Sequence, residues 1–243
     1  MQYFYSTGEM EKNLAGEGYS PASGSWVTGE KIIFGLIMIP GGTKSDPHSH
    51  PNEQFSIVLG GQMRVTIEGE TQVLSKGNIS YRPANAIHSA EVISDEDYIF
   101  VTAKDTAWGI QGTPAGSATS GIQRKDDQIP FYYDTAKMEN KLAGEGYSPA
   151  NGAWVTGERL IFGDITIPAG TKADPHSHPN EQMIFVRNGS VDMTIEGESQ
   201  RVKAGDIIHV PANAVHTAVT VGDDDYKFIT AKDTSWGIQG TPA

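Results

Sequence analysis

Residues 10–115 of this chain are written out again at 138–243, at a constant offset of 128 and with no insertion or deletion. Roughly two thirds of the aligned positions are identical. One copy begins MEKNLAGEGYSPASGSWVTGE and ends KDTAWGIQGTPA. The other begins MENKLAGEGYSPANGAWVTGE and ends KDTSWGIQGTPA. Such a period is too long for a solenoid repeat and has the size of a small domain. The 243 residues are therefore expected to hold one fold used twice, as a domain over 1–115, a linker over 116–130 and a domain over 131–243. The linker, GSATSGIQRKDDQIP, is rich in Gly, Ser and charge. An aromatic lead-in stands before each copy, Tyr3-Phe4-Tyr5 and Phe131-Tyr132-Tyr133. Each is expected to form a first strand of its own copy.

Inside each copy the periodicity is that of strands. KIIFGLIMIP (31–40) and RLIFGDITIP (159–168) are β-branched apolar runs closed by proline. QFSIVLGGQMRVTIEGE (54–70) and QMIFVRNGSVDMTIEGE (182–198) each read as a strand, a tight glycine turn and a returning strand, which predicts a hairpin. Further short strands follow in VLSKGNISYRP, HSAEVIS and DYIFVTA and in their copies. No segment keeps a helical period over three turns. Six to eight short antiparallel strands per copy predict an all-β chain, a sandwich or jelly-roll barrel used twice.

Composition narrows the function classes. The chain carries 18 Lys+Arg against 30 Asp+Glu, a net charge of −12. Such acidity repels a phosphate backbone, so no nucleic-acid partner is expected. There is no cysteine, which excludes disulfide scaffolds, iron–sulfur clusters and thiol nucleophiles and leaves nitrogen and oxygen to hold any metal. MQYFYSTGEMEKN lacks the pattern of a secretory leader. No apolar run is long enough for a spanning helix. A soluble, cytoplasmic protein without a membrane partner is expected.

Six of the seven histidines fall into two matched sets. Asp46-Pro47-His48-Ser49-His50-Pro51-Asn52-Glu53-Gln54 recurs as Asp174-Pro175-His176-Ser177-His178-Pro179-Asn180-Glu181-Gln182. Pro83-Ala84-Asn85-Ala86-Ile87-His88 recurs as Pro211-Ala212-Asn213-Ala214-Val215-His216. Only His209 is left over. In a strand, residues i and i+2 face the same way, so His48 and His50 point together, as two imidazoles on one metal would. Gln54 keeps that parity and Glu53 has the opposite one. These residues resemble the two motifs of the cupins. Gly42, His48, His50, Gln54 and Gly61 follow the first motif, as do Gly170, His176, His178, Gln182 and Gly189. Gly77, Pro83 and His88, and Gly205, Pro211 and His216, follow the second. Glutamine stands where the motif has glutamate. Asn85 and Asn213 stand where it has glycine, a change that asparagine tolerates because it accepts positive φ.

The resemblance implies a bicupin, two tandem jelly-roll β-barrels. It implies one divalent transition metal per barrel (Fe, Mn, Ni, Co, Cu or Zn), held by His48, His50, Gln54 and His88 and by His176, His178, Gln182 and His216. Neutral ligands leave the ion its full charge and make it a stronger Lewis acid. In oxygen-using, quercetinase-like cupins the glutamate is usually kept. His-His-Gln-His sets are more similar to cupins that open unsaturated uronates, to an isomerase bicupin of the prephenate pathway and to aromatic polyketide cyclases. A metal-dependent enzyme for a small oxygenated or carbonyl substrate is expected, catalysing isomerisation, cyclisation or a related proton transfer. A dioxygenase and a non-enzymatic ligand-binding module are the alternatives. Candidate catalytic residues are Glu53, Glu181 and Ser56. Arg82, Ser56, Arg64 and Leu36 become Val210, Ile184, Asp192 and Asp164 in the second copy, so the two pockets are expected to differ. Trp26, Trp154, Trp108 and Trp236 are expected to pack rather than to line a pocket. AGEGYSP and WGIQGTPA lack the setting of a phosphate cradle. By resemblance to dimeric single-domain cupins, the two halves are expected to pair within the chain, and homo-oligomers are open.

Overall fold

A computed structural model describes the whole chain except residues 118, 121 and 123–128. Most of the expected linker's charged stretch lies outside the described residues. Apart from one 3-10 turn at Thr135–Lys137, the regular structure of the described residues is all strand, as expected. Contacts divide the chain into two compact units. The N-terminal unit comprises residues 11–28 and 33–137, the C-terminal unit residues 1–10, 29–32 and 138–243.

Each unit is built from two antiparallel sheets. In the N-terminal unit, seven strands lie in the order Tyr132–Asp134, Asn78–Arg82, Gln54–Gly60, Tyr98–Asp105, Ile32–Ile39, Ser23–Thr28, Asn13–Leu14. Five more lie in the order Thr113–Pro114, Lys44–Ser49, His88–Val92, Met63–Ile67, Glu70–Leu74. The C-terminal unit repeats both orders. Alternating apolar residues of both sheets, among them Ile37, Val65, Ile67 and Leu74, are fully buried and form the barrel interior. The strand count exceeds expectation because two- and three-residue strands close the sheet edges.

The expected hairpin over 54–70 does not form. Gln54–Gly60 belongs to the seven-stranded sheet and Met63–Ile67 to the five-stranded one, so the chain changes sheet between them. Gly61 makes the corner: its φ is +73°, and a Cβ there would stand 2.5 Å from the carbonyl oxygen of Asp97. The real hairpin is one strand later. Met63–Ile67 pairs with Glu70–Leu74 across Glu68 and Gly69, both at positive φ, the signature of a type I′ turn. The second copy does the same with Ser190–Ile195 and Glu198–Lys203 across Glu196 and Gly197.

The lead-ins form strands, but not with their own copies. Phe4–Ser6 pairs with the strand Asp206–Val210, Phe4 opposite Ile208. Tyr132–Asp134 pairs with Asn78–Arg82. Each lead-in covers an edge that would otherwise leave a row of unpaired backbone groups, and each buries a phenylalanine, Phe4 or Phe131. Phe4→Ala is therefore expected to cost about 3 kcal/mol. That is a fall of about 6–12 °C in Tm, read by differential scanning calorimetry. Deleting residues 1–10 should lower Tm further and promote aggregation through the bared edge. An unchanged Tm for Phe4→Ala would show that the strand adds no stability.

Candidate metal centre and its pocket

In the N-terminal unit the strand Lys44–Ser49 places His48 opposite His88, with ring centroids 4.2 Å apart. His50 follows just beyond that strand, its ring 5.0 Å from that of His88. Gln54 opens the strand Gln54–Gly60. The loop before His88 is fixed by Asn85, whose φ is +65° and whose N–H donates to the His50 carbonyl at 2.8 Å. Asparagine thus does at this turn what the motif's glycine would do. The second copy repeats the arrangement, with His176 and His216 4.1 Å apart and His178 and His216 4.9 Å apart.

Hydrogen bonds settle where the lone pairs lie. The Nδ1 atoms of His48, His50 and His88 face the carbonyls of Asp46, Asn52 and Ala86 at 2.7, 2.9 and 2.9 Å. A carbonyl only accepts, so each Nδ1 carries hydrogen and each neutral ring keeps its lone pair on Nε2. The Gln54 amide is oriented as well. Its Nε2 donates to Thr102 Oγ1 at 2.8 Å, and that hydroxyl donates to the Phe55 carbonyl at 2.8 Å. Gln54 Oε1 is consequently the atom 2.9 Å from His50 Nε2. Two acceptors face each other. His178 Nε2 and Gln182 Oε1 do the same at 2.9 Å, with Nδ1 held by Asn180 and the amide held by Thr230. Such a pair attracts only with a cation between its members. Burial, with Lys104 close by, holds His50 well below the usual imidazole range. Burial and Lys232 hold His178 down to about 4. Neither imidazole is therefore suited to carry an additional proton at neutral pH.

The donor set fits a metal. Two ligand atoms on adjacent octahedral vertices, with bonds of about 2.1 Å, lie about 3.0 Å apart. Among the described residues, no three His, Cys, Asp or Glu side chains already gather into a metal site. The sets are three imidazoles and an amide brought side by side, short of a closed shell.

Each cluster lies on the wall of a pocket. The Tyr19 ring rests on His48 at 4.4 Å and the Tyr147 ring on His176 at 4.4 Å. Trp26, Phe100 and Ile110 line the first pocket; Trp154, Phe228 and Ile238 line the second. Trp26 and Trp154 are thus pocket walls, contrary to expectation, because strands 23–28 and 151–156 turn that face inward. Trp108 and Trp236 are half exposed. The WGIQGTPA segments close the pockets. Gly112 N donates to Tyr19 Oη at 2.6 Å, and a Cβ at Gly112 would stand 3.0 Å from His48 Cδ2. Lys104 and Lys232 lie in the pocket walls too. Their Nζ atoms donate to the carbonyls of Ile110 and Ile238 at 2.9 and 3.1 Å. Burial, helped at Lys104 by the Arg82 charge, holds both ammonium groups down to about 7.

The carboxylate candidates lie elsewhere. No Asp or Glu lines either pocket among the described residues. Glu53 is buried with the parity opposite to Gln54, and its N–H donates to Asp105 Oδ2 at 2.6 Å. Glu181 accepts from the backbone N–H groups of Glu30, Lys31 and Ile32 at 2.8, 2.8 and 2.9 Å. It also accepts from His209 Nε2 at 2.7 Å, which accounts for the seventh histidine. Burial alone would raise Glu181, and these bonds outweigh it and lower its pKa. Ser56 sits beside the Gln54 amide and bonds to Thr102 at 3.0 Å and to Arg82 at 3.2 Å. Tyr19 and the two lysines escaped the sequence reading. A lysine inside the run YIFVTAKD, at the same parity as Thr102, was the visible signal for Lys104.

The cupin domain model matches residues 35–103 and again 163–232. The chain therefore belongs to the cupin family and carries the domain twice. A quercetin 2,3-dioxygenase of Bacillus subtilis (strain 168) is 23% identical over 266 residues, covering 89% of this chain and 78% of the relative. An H2HPP isomerase of Bacillus subtilis is 25% identical over 207 residues, covering 84% and 80%. Bacillus subtilis oxalate decarboxylase, described with Mn(II) centres, superposes with a TM-score of 0.71 at 17% identity, covering 97% and 78%.

A buried ammonium beside the Arg82 charge costs stability. Its folded pKa lies below the unfolded one, so the unfolded state binds the proton better. The cost is full below pH 7 and fades as pH rises toward the ordinary lysine range. Lys104→Met should therefore raise stability by about 2 kcal/mol at pH 6–7, or about 4–8 °C in Tm, with a smaller gain at pH 10. Destabilisation at pH 6 would refute this account of Lys104.

Proposed function

We propose that the chain is a metal-dependent bicupin enzyme acting on a small oxygenated or carbonyl substrate by isomerisation, cyclisation or a related proton transfer. His48, His50, Gln54 and His88 would hold one divalent transition metal, and His176, His178, Gln182 and His216 another. The observation that carries this reading is the confrontation of His50 Nε2 with Gln54 Oε1, and of His178 Nε2 with Gln182 Oε1. When bound, the ion supplies a Lewis acid for a substrate oxygen. The aromatic and aliphatic walls exclude water. Lys104 and Lys232 hold a proton at Nζ, and burial lowers both to about 7, a range suited to general acid–base catalysis near neutrality. They replace the expected carboxylates in that role, because neither pocket has one among its described lining residues.

The similarity to the H2HPP isomerase supports proton transfer, as does the glutamine in each donor set. The similarity to the quercetin dioxygenase keeps an oxygen-using reaction as the second reading, and oxygen uptake on turnover would decide for it.

Elemental analysis of the purified chain is expected to give two equivalents of one transition metal. His48→Ala should leave about one, and the double change His48→Ala/His176→Ala about none, since even losing a partner that only orients a ligand weakens a metal site about 10–100-fold. Full metal content in the double variant would refute the ligand assignment.

A further inference from the structure

We propose that the pocket of the N-terminal unit takes a ligand bearing a carboxylate, with the Arg82 guanidinium as its counter-ion, while the pocket of the C-terminal unit takes an uncharged one. This rests on the reading that both pockets are ligand sites beside a metal.

Arg82 ends the strand Asn78–Arg82, is 6% exposed and lines the first pocket. Its Nη1 donates to Ser80 Oγ at 3.0 Å and to Ser56 Oγ at 3.2 Å. Its Nε is buried without an acceptor. Among the described residues no carboxylate answers its charge. Guanidinium stays protonated in proteins, so an unpaired positive charge stands inside the barrel. Buried charges are paired unless a partner arrives with the ligand. Trp26 Nε1, on the same pocket wall, also lacks an acceptor. A carboxylate offers acceptor sites to both, and the guanidinium fork matches its geometry.

The chain contains its own control. The positions equivalent to Ser56, Ser80 and Arg82 are Ile184, Ile208 and Val210, all buried. The same barrel accepts three polar residues or three aliphatic ones, so the fold does not require the arginine. In the C-terminal pocket the donors without partners are the neutral Trp154 Nε1 and Tyr226 Oη. Lys104 and Lys232 occur in both pockets and do not distinguish them.

Calorimetric titration of the full chain with benzoate and with its neutral isostere benzamide tests the proposal, in both the metal-free and the metal-loaded protein. Benzoate should saturate at one per chain and bind more tightly there than benzamide. The triple variant Ser56→Ile/Ser80→Ile/Arg82→Val copies residues that already pack in the second barrel. It should lose about a hundredfold in benzoate affinity with Tm and metal content retained. Arg82→Gln, which keeps a donor for the serines but no charge, should lose about as much. Wild-type benzoate affinity in either variant, two equivalent benzoate sites, or no saturable benzoate binding would overturn the assignment. Absence of metal would instead refute the metal-centre reading, and the Arg82 dependence in metal-free protein would still stand or fall alone.

Discussion

Two lone pairs held 2.9 Å apart in the same way in two barrels are a constraint that the surrounding structure works to maintain. The imidazole is pinned from behind by a backbone carbonyl and the amide by a threonine whose own hydrogen is committed to the backbone. Neither group can rotate away without losing those bonds inside a dry core, where an unmade hydrogen bond is expensive. Much of the nearby sequence follows from this. Asn85 and Asn213 take a left-handed turn so that the third histidine arrives from the opposite side. Gly112 and Gly240 stay bare because a methyl group would press on His48 and His176.

Around this neutral, acceptor-rich centre the pockets carry positive rather than negative side chains. Their basic groups are lysines whose ammonium form is disfavoured by burial, and in one pocket an arginine as well. This inverts the impression given by the whole chain, whose net charge is −12. The acidic residues lie largely on the surface, and of the buried carboxylates, Glu181, Asp233 and Asp105 accept from backbone amides. Global charge governs encounter and solubility, while the site's chemistry is set by the few charges that face inward.

The strand content, the duplication and the four recurring donors were legible because each rests on a local rule: period two, a fixed offset, and i/i+2 parity. The hairpin at Gly61 was misread because a glycine corner between two sheets has the same local sequence as a glycine turn within one, and only the pairing partners tell them apart. Glu181 reads as a candidate catalytic residue in the sequence because the amides that bind it, those of residues 30–32, are about 150 positions away. Tyr19 reaches the pocket through tertiary packing that no spacing rule encodes, and Lys104 shows in the sequence only as a lysine at the parity of Thr102 within an apolar run. Trp26 was assigned to packing since an aromatic in a strand usually is, and which face meets the cavity is fixed only when both sheets are in place.

The pairing of Phe4–Ser6 with Asp206–Val210 also orders events in time. Thr7 bonds to the Gly205 carbonyl across 198 residues of sequence. The strand Phe4–Ser6 therefore belongs to the unit whose remaining strands, down to Thr241–Pro242, come later in the sequence than every strand of the other unit. The N-terminal unit, residues 11–28 and 33–137, has all its strands as soon as Asp134 has emerged, while Phe4 must wait unpaired until residue 210 has been synthesised. Contacts of such separation are slow to close, so a chain this symmetric on paper is expected to fold asymmetrically, one barrel early and the other late.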